Sequence, residues 1–290
     1  MHYTDYKTIL SPKNGMNLYR GCSHGCIYCD SRSVCYGLKH DFEDIEVKRY
    51  AAHILDAQLA ARRKPCMIGT GAMCDPYIPL ENELRLTRQC LEVILRRGFG
   101  VTILTKSPGV LRDLDILKAI NKKTKCVVQF TLTTFDDDLC SIIEPNVAVT
   151  SERAAALDIL RDAGIPTVVW LSPILPFIND TEDNLRGLLD YCVSARARGI
   201  IFFGFGTTMR EGSREFFFQN LDKNFPGMKQ RYIDAFGSRY ECLSPNNARL
   251  TAVLRDICDK HSILRRPDEV FGYLRSFESK ERQLSLFDNP

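Results

Sequence analysis

Short apolar runs alternate with amphipathic stretches along most of this chain. The apolar runs are CMIGTG (66–71), GVTILTK (100–106), CVVQFTLT (126–133), PTVVWLS (166–172) and GIIFFGFG (199–206). They are rich in Val, Ile, Thr and Phe and of strand length, and GMNLYRG (15–21) reads as an earlier strand. Between them, residues 44–63, 82–98, 107–121, 150–164 and 180–199 carry apolar residues at helical spacing. Several of these stretches open on Ser or Thr and close on Gly, the residues that start and stop helices. Strands apolar on both faces, separated by helices, predict a parallel sheet with helices outside it.

About six such β/α units fit an α/β fold built as a partial (β/α)6 TIM-like barrel, and a doubly wound open sheet fits the same pattern. In either case the loops after the strand C-termini build the site. Those loops contain GAMCDPY, TKS, TTFDDD, SPILPFIND and FGTTM. Past residue 206 the pattern turns helical and aromatic, so the expected organisation is a core over 1–206, a helical extension over 207–280 and a free tail over 281–290.

Composition changes this picture little. The chain has 290 residues and a net charge of +3, with basic and acidic residues spread along it. Bulk charge therefore does not call for a nucleic-acid partner. No apolar run approaches the roughly 18 residues that span a bilayer, and the N-terminus has neither the basic start nor the apolar stretch of a secretion signal. A cytoplasmic location is expected.

Candidate chemistry concentrates in YRGCSHGCIYCD (19–30). Three of the chain's 12 cysteines, Cys22, Cys26 and Cys29, fall within eight residues. In a cytoplasmic chain of this length such clustering points to metal. Thiolates favour zinc, copper(I) and iron–sulfur clusters. A closed zinc site or a ferredoxin-type cluster would need a fourth ligand, for which Cys35 is the nearest cysteine. A [4Fe–4S] cluster held by three thiolates would instead leave one iron open, and Gly21 and Gly25 would let the backbone wrap closely around it. The scattered cysteines give no reason to expect a second cluster.

The Cys22-x3-Cys26-x2-Cys29 spacing, with Tyr28 before the last cysteine, resembles the radical S-adenosylmethionine (SAM) superfamily. The string NLYRGCSHGCIYCDSRS is similar to its spore photoproduct lyase-like branch, often labelled DNA repair photolyase. The similarity continues through DPYIPLE (75–81), TKSPGVLRDLDIL (105–117), IIEP (142–145), AGIPT (163–167) and PILPFIND (173–180). This resemblance implies a partial (β/α)6 barrel, one [4Fe–4S] cluster and SAM as cofactors, an electron donor of flavodoxin or ferredoxin type, and a DNA substrate for a lyase-like repair reaction. A radical SAM enzyme acting on a peptide, RNA or small molecule is the alternative, and a non-catalytic metal-binding interaction protein is the third reading. The resemblance also implies that Asp75 meets the SAM amino group, Lys106 its carboxylate and Thr131 the ribose side, with Tyr28 near the adenine. The branch's hydrogen-donating cysteine aligns with Ala72; Cys74, two residues later, is the candidate catalytic thiol in its place, with a contact to SAM or simple space-filling as the other readings.

A second motif closes the chain. Gln283, Leu284, Leu286 and Phe287 of QLSLF resemble the pentapeptide by which bacterial proteins dock on the DNA sliding clamp, with Leu286 and Phe287 as apolar anchors.

Overall fold

The computed structural model describes residues 1–280, so the QLSLF motif lies outside the described residues. Six strands form one parallel sheet: β1 (Gly15–Met16), β2 (Met67–Thr70), β3 (Gly100–Thr105), β4 (Cys126–Thr131), β5 (Thr167–Trp170) and β6 (Gly199–Ile201). Their spatial order follows the sequence from β1 to β6. That order belongs to a barrel-like sheet; a doubly wound sheet would place its first strand in the interior.

Two faces of each strand are used differently. Val101, Ile103, Val128, Phe130, Val169 and Ile200 join the main core together with the helices Leu86–Arg97, Leu114–Lys123, Thr150–Asp162 and Glu182–Ser194. Residues of the opposite parity face the barrel interior. There Thr102 Oγ1 accepts from Gln129 Nε2 at 2.7 Å, and Trp170 Nε1 donates to Gln129 Oε1 at 2.8 Å. Below this polar rung, Val127, Val168 and Ile201 pack on Val270 and Leu274 of the helix Pro267–Arg275. The last described helix thus fills the bottom of the barrel interior. Lys125 holds it there through the carbonyls of Tyr273 and Ser276.

Two other C-terminal helices cover the cysteine loop, while the helix Asn247–Lys260 packs on the main core through Leu250, Leu254 and Cys258. Phe217 and Leu221 of the helix Ser213–Asn224, with Tyr232 and Phe236 of the helix Met228–Phe236, bury Ile27 between them and Ile143 and Leu175.

Three local expectations are corrected. The stretch 15–21 is split: Gly15–Met16 joins the main sheet, whereas Tyr19–Arg20 pairs antiparallel with Glu46–Lys48 in a small separate sheet. The helical pattern over 44–63 therefore starts late, at Ala51, after Tyr50 turns the backbone at φ 57°. Sheet pairing outweighed the helical periodicity of residues 46–48. Likewise only 199–201 of the last apolar run belongs to β6; Gly206–Thr208 pairs instead with Glu241–Leu243.

Candidate functional site

The loop after Tyr19–Arg20 carries the three thiols. Gly21 and Gly25 take positive φ of 82° and 70°, and a Cβ on Gly21 would sit 2.4 Å from the Phe42 carbonyl oxygen. Only glycine allows the loop to coil this tightly against its support. That support is segment 143–146: Ile27 N donates to Ile143 O, Asn146 N to His24 O, and Asn146 Nδ2 to Ser23 O. The IIEP motif therefore serves as the seat of the cysteine loop.

Behind the seat lies a buried ion pair that the sequence reading left unassigned. Glu144 and Arg153 are both 0% exposed and bonded to each other. Arg153 also donates to Ala148 O at 2.7 Å and Thr131 O at 3.0 Å, while Glu144 accepts from the Tyr28 hydroxyl. The network joins the end of β4 to the residue just before Cys29. Its sequence signal was an arginine on the apolar stripe of a helix, in line with Thr150, Leu157 and Leu160.

Cys22, Cys26 and Cys29 open into a cavity of about 630 Å³ at the C-terminal ends of the strands. Tyr28, Cys74, Asp75, Lys106 and Thr131 line the same cavity. Cys35 is exposed, with Arg210 Nη1 3.3 Å from its sulfur. The free thiols titrate differently. The Cys22 thiol is held low, chiefly by a hydrogen bond from Cys74, whereas burial pushes those of Cys26 and Cys29 up.

Lys106 is the cation of this cavity. Its Nζ lies 5.8 Å from the centre of the Tyr28 ring and has no hydrogen-bond or ion-pair partner among the described residues. Burial alone would lower its pKa, but the negative charge available at Cys26 and Glu144 outweighs this and keeps it above the ordinary lysine value.

Asp75 is tied into the protein. Its carboxylate accepts from Tyr77 N at 2.8 Å, Thr105 Oγ1 at 2.7 Å and Lys106 N at 2.6 Å. It thereby braces the loop after β2 against the end of β3 and fixes the backbone from which Lys106 projects. Thr131 is buried, with its carbonyl on Arg153. Tyr28 has its ring in the cavity and its hydroxyl on Glu144. Ala72 is exposed at the cavity wall, whereas Cys74 is 5% exposed and its thiol donates to the Asp75 carbonyl oxygen at 3.6 Å.

The outer wall of the cavity is aromatic. Phe203, 61% exposed, lies edge-on to Trp170 at a centroid distance of 6.1 Å, and Tyr240 stands beside Arg210, whose guanidinium is 4.8 Å from its ring centre. Sequence patterning gave no cue to this wall, because it joins β5, β6 and the strand Glu241–Leu243.

The residues present fit an iron–sulfur cluster with an open coordination site. Three soft thiols converge where a glycine loop leaves room, and a cation without an anionic partner faces them. A parallel barrel with that cluster loop at its strand ends defines a class of metal-dependent enzymes whose site sits at the C-terminal face. The chain belongs to the Radical SAM superfamily, whose sequence model matches residues 16–192. Members use a [4Fe–4S] cluster and SAM, and these are its cofactors.

Among its relatives, an uncharacterized protein of Methanocaldococcus jannaschii is 30% identical over 215 residues, covering 73% of this chain and 76% of that one. An uncharacterized protein of Mycobacterium tuberculosis is 29% identical over 229 residues, 76% of this chain and 66% of the relative. In fold, the chain is similar to spore photoproduct lyase solved with AdoMet and a dinucleoside spore photoproduct, at TM-score 0.62 and 16% identity over 86% of this chain and 74% of that one. It is also similar to the radical SAM methyltransferase TsrM of Kitasatospora setae, at TM-score 0.56 and 13% identity over 86% and 54%. No described helix is long and apolar enough to cross a membrane.

Proposed function

We propose that this radical SAM enzyme acts on DNA lesions by a lyase-type reaction, with Cys22, Cys26 and Cys29 holding the cluster. The observation that carries the reading is one cavity lined by the three cysteines, Lys106 and the buried Cys74 together with the aromatic residues Trp170, Phe203 and Tyr240. Once bound, the cluster and SAM supply a 5′-deoxyadenosyl radical able to abstract hydrogen from a substrate.

The chain's own residues then have separable tasks. Lys106 offers its charge to the carboxylate of SAM. Asp75 acts largely by fixing the Lys106 backbone, and its carboxylate, with His24 Nδ1 3.7 Å away, is the group proposed to meet the SAM amino end. Thr131 and Tyr28 border the nucleoside side, and Glu144 and Arg153 hold Tyr28 in place. Cys74 is the proposed hydrogen-atom donor to a substrate radical. Phe203 and Trp170 present flat apolar surface on which a base can stack. A reductant of flavodoxin or ferredoxin type would supply the electron. The QLSLF tail, through Gln283, Leu284, Leu286 and Phe287, would bring the enzyme to DNA by the sliding clamp.

The test is anaerobic reconstitution followed by SAM and dithionite, with and without ultraviolet-irradiated DNA. The expected result is 5′-deoxyadenosine release that rises with damaged DNA and is accompanied by lesion loss. Release that ignores DNA and leaves its lesions intact would instead favour a peptide, RNA or small-molecule substrate.

A further inference from the structure

Away from the cavity, two histidines and a carboxylate far apart in sequence meet at one point. The ligand atoms of His2, His40 and Asp44 all lie within 4.8 Å of one another. His2 Nδ1 is 2.9 Å from Asp44 Oδ2, and the two imidazole rings meet edge-on with centroids 4.7 Å apart. With Zn–N and Zn–O bonds near 2.0–2.2 Å, neighbouring ligand atoms of a tetrahedral zinc lie about 3.3 Å apart. The His2–Asp44 edge is already close to that length, and a modest shift of the half-buried His40 ring completes a triangle.

The surroundings suit a metal as well. His40 Nε2 lies 3.2 Å from Glu46 Oε2, and His40 Nδ1 lies 3.0 Å from the Asp41 carbonyl oxygen. Whichever nitrogen takes the metal, the other keeps an acceptor that orients the ring, as metal-bound histidines require. Glu46 is buried and further held by the Tyr6 hydroxyl. Two imidazoles and one carboxylate form a borderline set suited to zinc, with the remaining position left to water.

We propose that His2, His40 and Asp44 form a zinc site that staples the N-terminal strand His2–Thr4 to the loop 37–44. That loop backs the cysteine loop: Phe42 O accepts from Cys22 N at 3.0 Å, and the Phe42 ring lies 4.3 Å from the Arg32 guanidinium. The staple therefore limits opening of the wall behind Cys22. It is separate from the three-thiol site and does not depend on which substrate the enzyme uses.

The test uses the cluster-reconstituted protein without an N-terminal tag, washed with a chelator, given one equivalent of zinc chloride and desalted. Zinc and iron are then counted by mass spectrometry, and zinc affinity is measured by competition with a chromophoric chelator. The expected result is one zinc per chain in the wild type and at least tenfold weaker zinc binding in the H2Q/H40Q double variant and in Asp44→Asn, with iron content unchanged in all three. Because D44N preserves shape, it keeps the test usable if the double variant folds poorly. A wild type that retains no zinc, or variants that bind it as tightly as the wild type, would overturn the proposal.

Discussion

Removing the Arg153 guanidinium gives a measurable account of how the cysteine loop is held. In Arg153→Met, Glu144 keeps a carboxylate at 0% exposure with its main countercharge gone. The carbonyls of Ala148 and Thr131 lose donors at the same time. Breaking a buried pair from one side costs about 3–5 kcal/mol. At about 2–4 °C of melting temperature per kcal/mol for a large domain, the expected drop is roughly 6–20 °C. The double variant Glu144→Gln/Arg153→Met removes both charges and should recover part of that loss, giving a coupling energy on the order of 1–3 kcal/mol. Calorimetric melting of the wild type, Glu144→Gln, Arg153→Met and the double variant completes the cycle. The sign of the pH dependence adds a second check. Burial pushes the Glu144 pKa up, but Arg153 and Lys106 outweigh it and hold it below the ordinary value. Its stabilising contribution is therefore present above the unfolded carboxyl pKa of about 4.3 and lost as pH falls through the lower folded value. Arg153→Met should melt with a weaker acid dependence. A loss under about 1 kcal/mol in the single variant, or a double variant no better than R153M, would refute the claim that this pair supports the loop.

Three further outcomes follow from other contacts. Gly71 has φ 96°, and a Cβ there would sit 1.8 Å from Leu104 O, so Gly71→Ala should cost at least about 1–3 kcal/mol and lower iron retention after reconstitution; normal melting and four irons would contradict this. Leu274→Ala removes a side chain wedged against Val127, Val168 and Ile201, with an expected cost of about 2–5 kcal/mol by denaturant titration. In timed iodoacetamide labelling of the cluster-loaded protein, exposed Cys35 should react first, whereas Cys126 and Cys258, buried and pushed up to about 12, should stay unmodified until unfolding; peptide mapping reads the order.

The amino-acid sequence by itself determined the alternation of strands and helices and the location of the chemistry. Both are local properties: periodicity within about 15 residues marks the elements, and the spacing of Cys22, Cys26 and Cys29 marks a loop able to present three thiols to one group. Element boundaries failed where a distant strand competed, as at Glu46–Lys48, because pairing partners do not appear in local periodicity. Tertiary structure alone decided three things. It set the sequential order of the six strands and so the choice of a barrel. It placed Glu144 and Arg153 behind Tyr28, although nothing near Tyr28 in sequence announces them. It also turned the helix Pro267–Arg275 inward as the floor of the barrel, which an amphipathic pattern cannot distinguish from packing on the outside. An apolar stripe records that a face is buried; the partner that buries it is fixed only when the whole chain closes around its core.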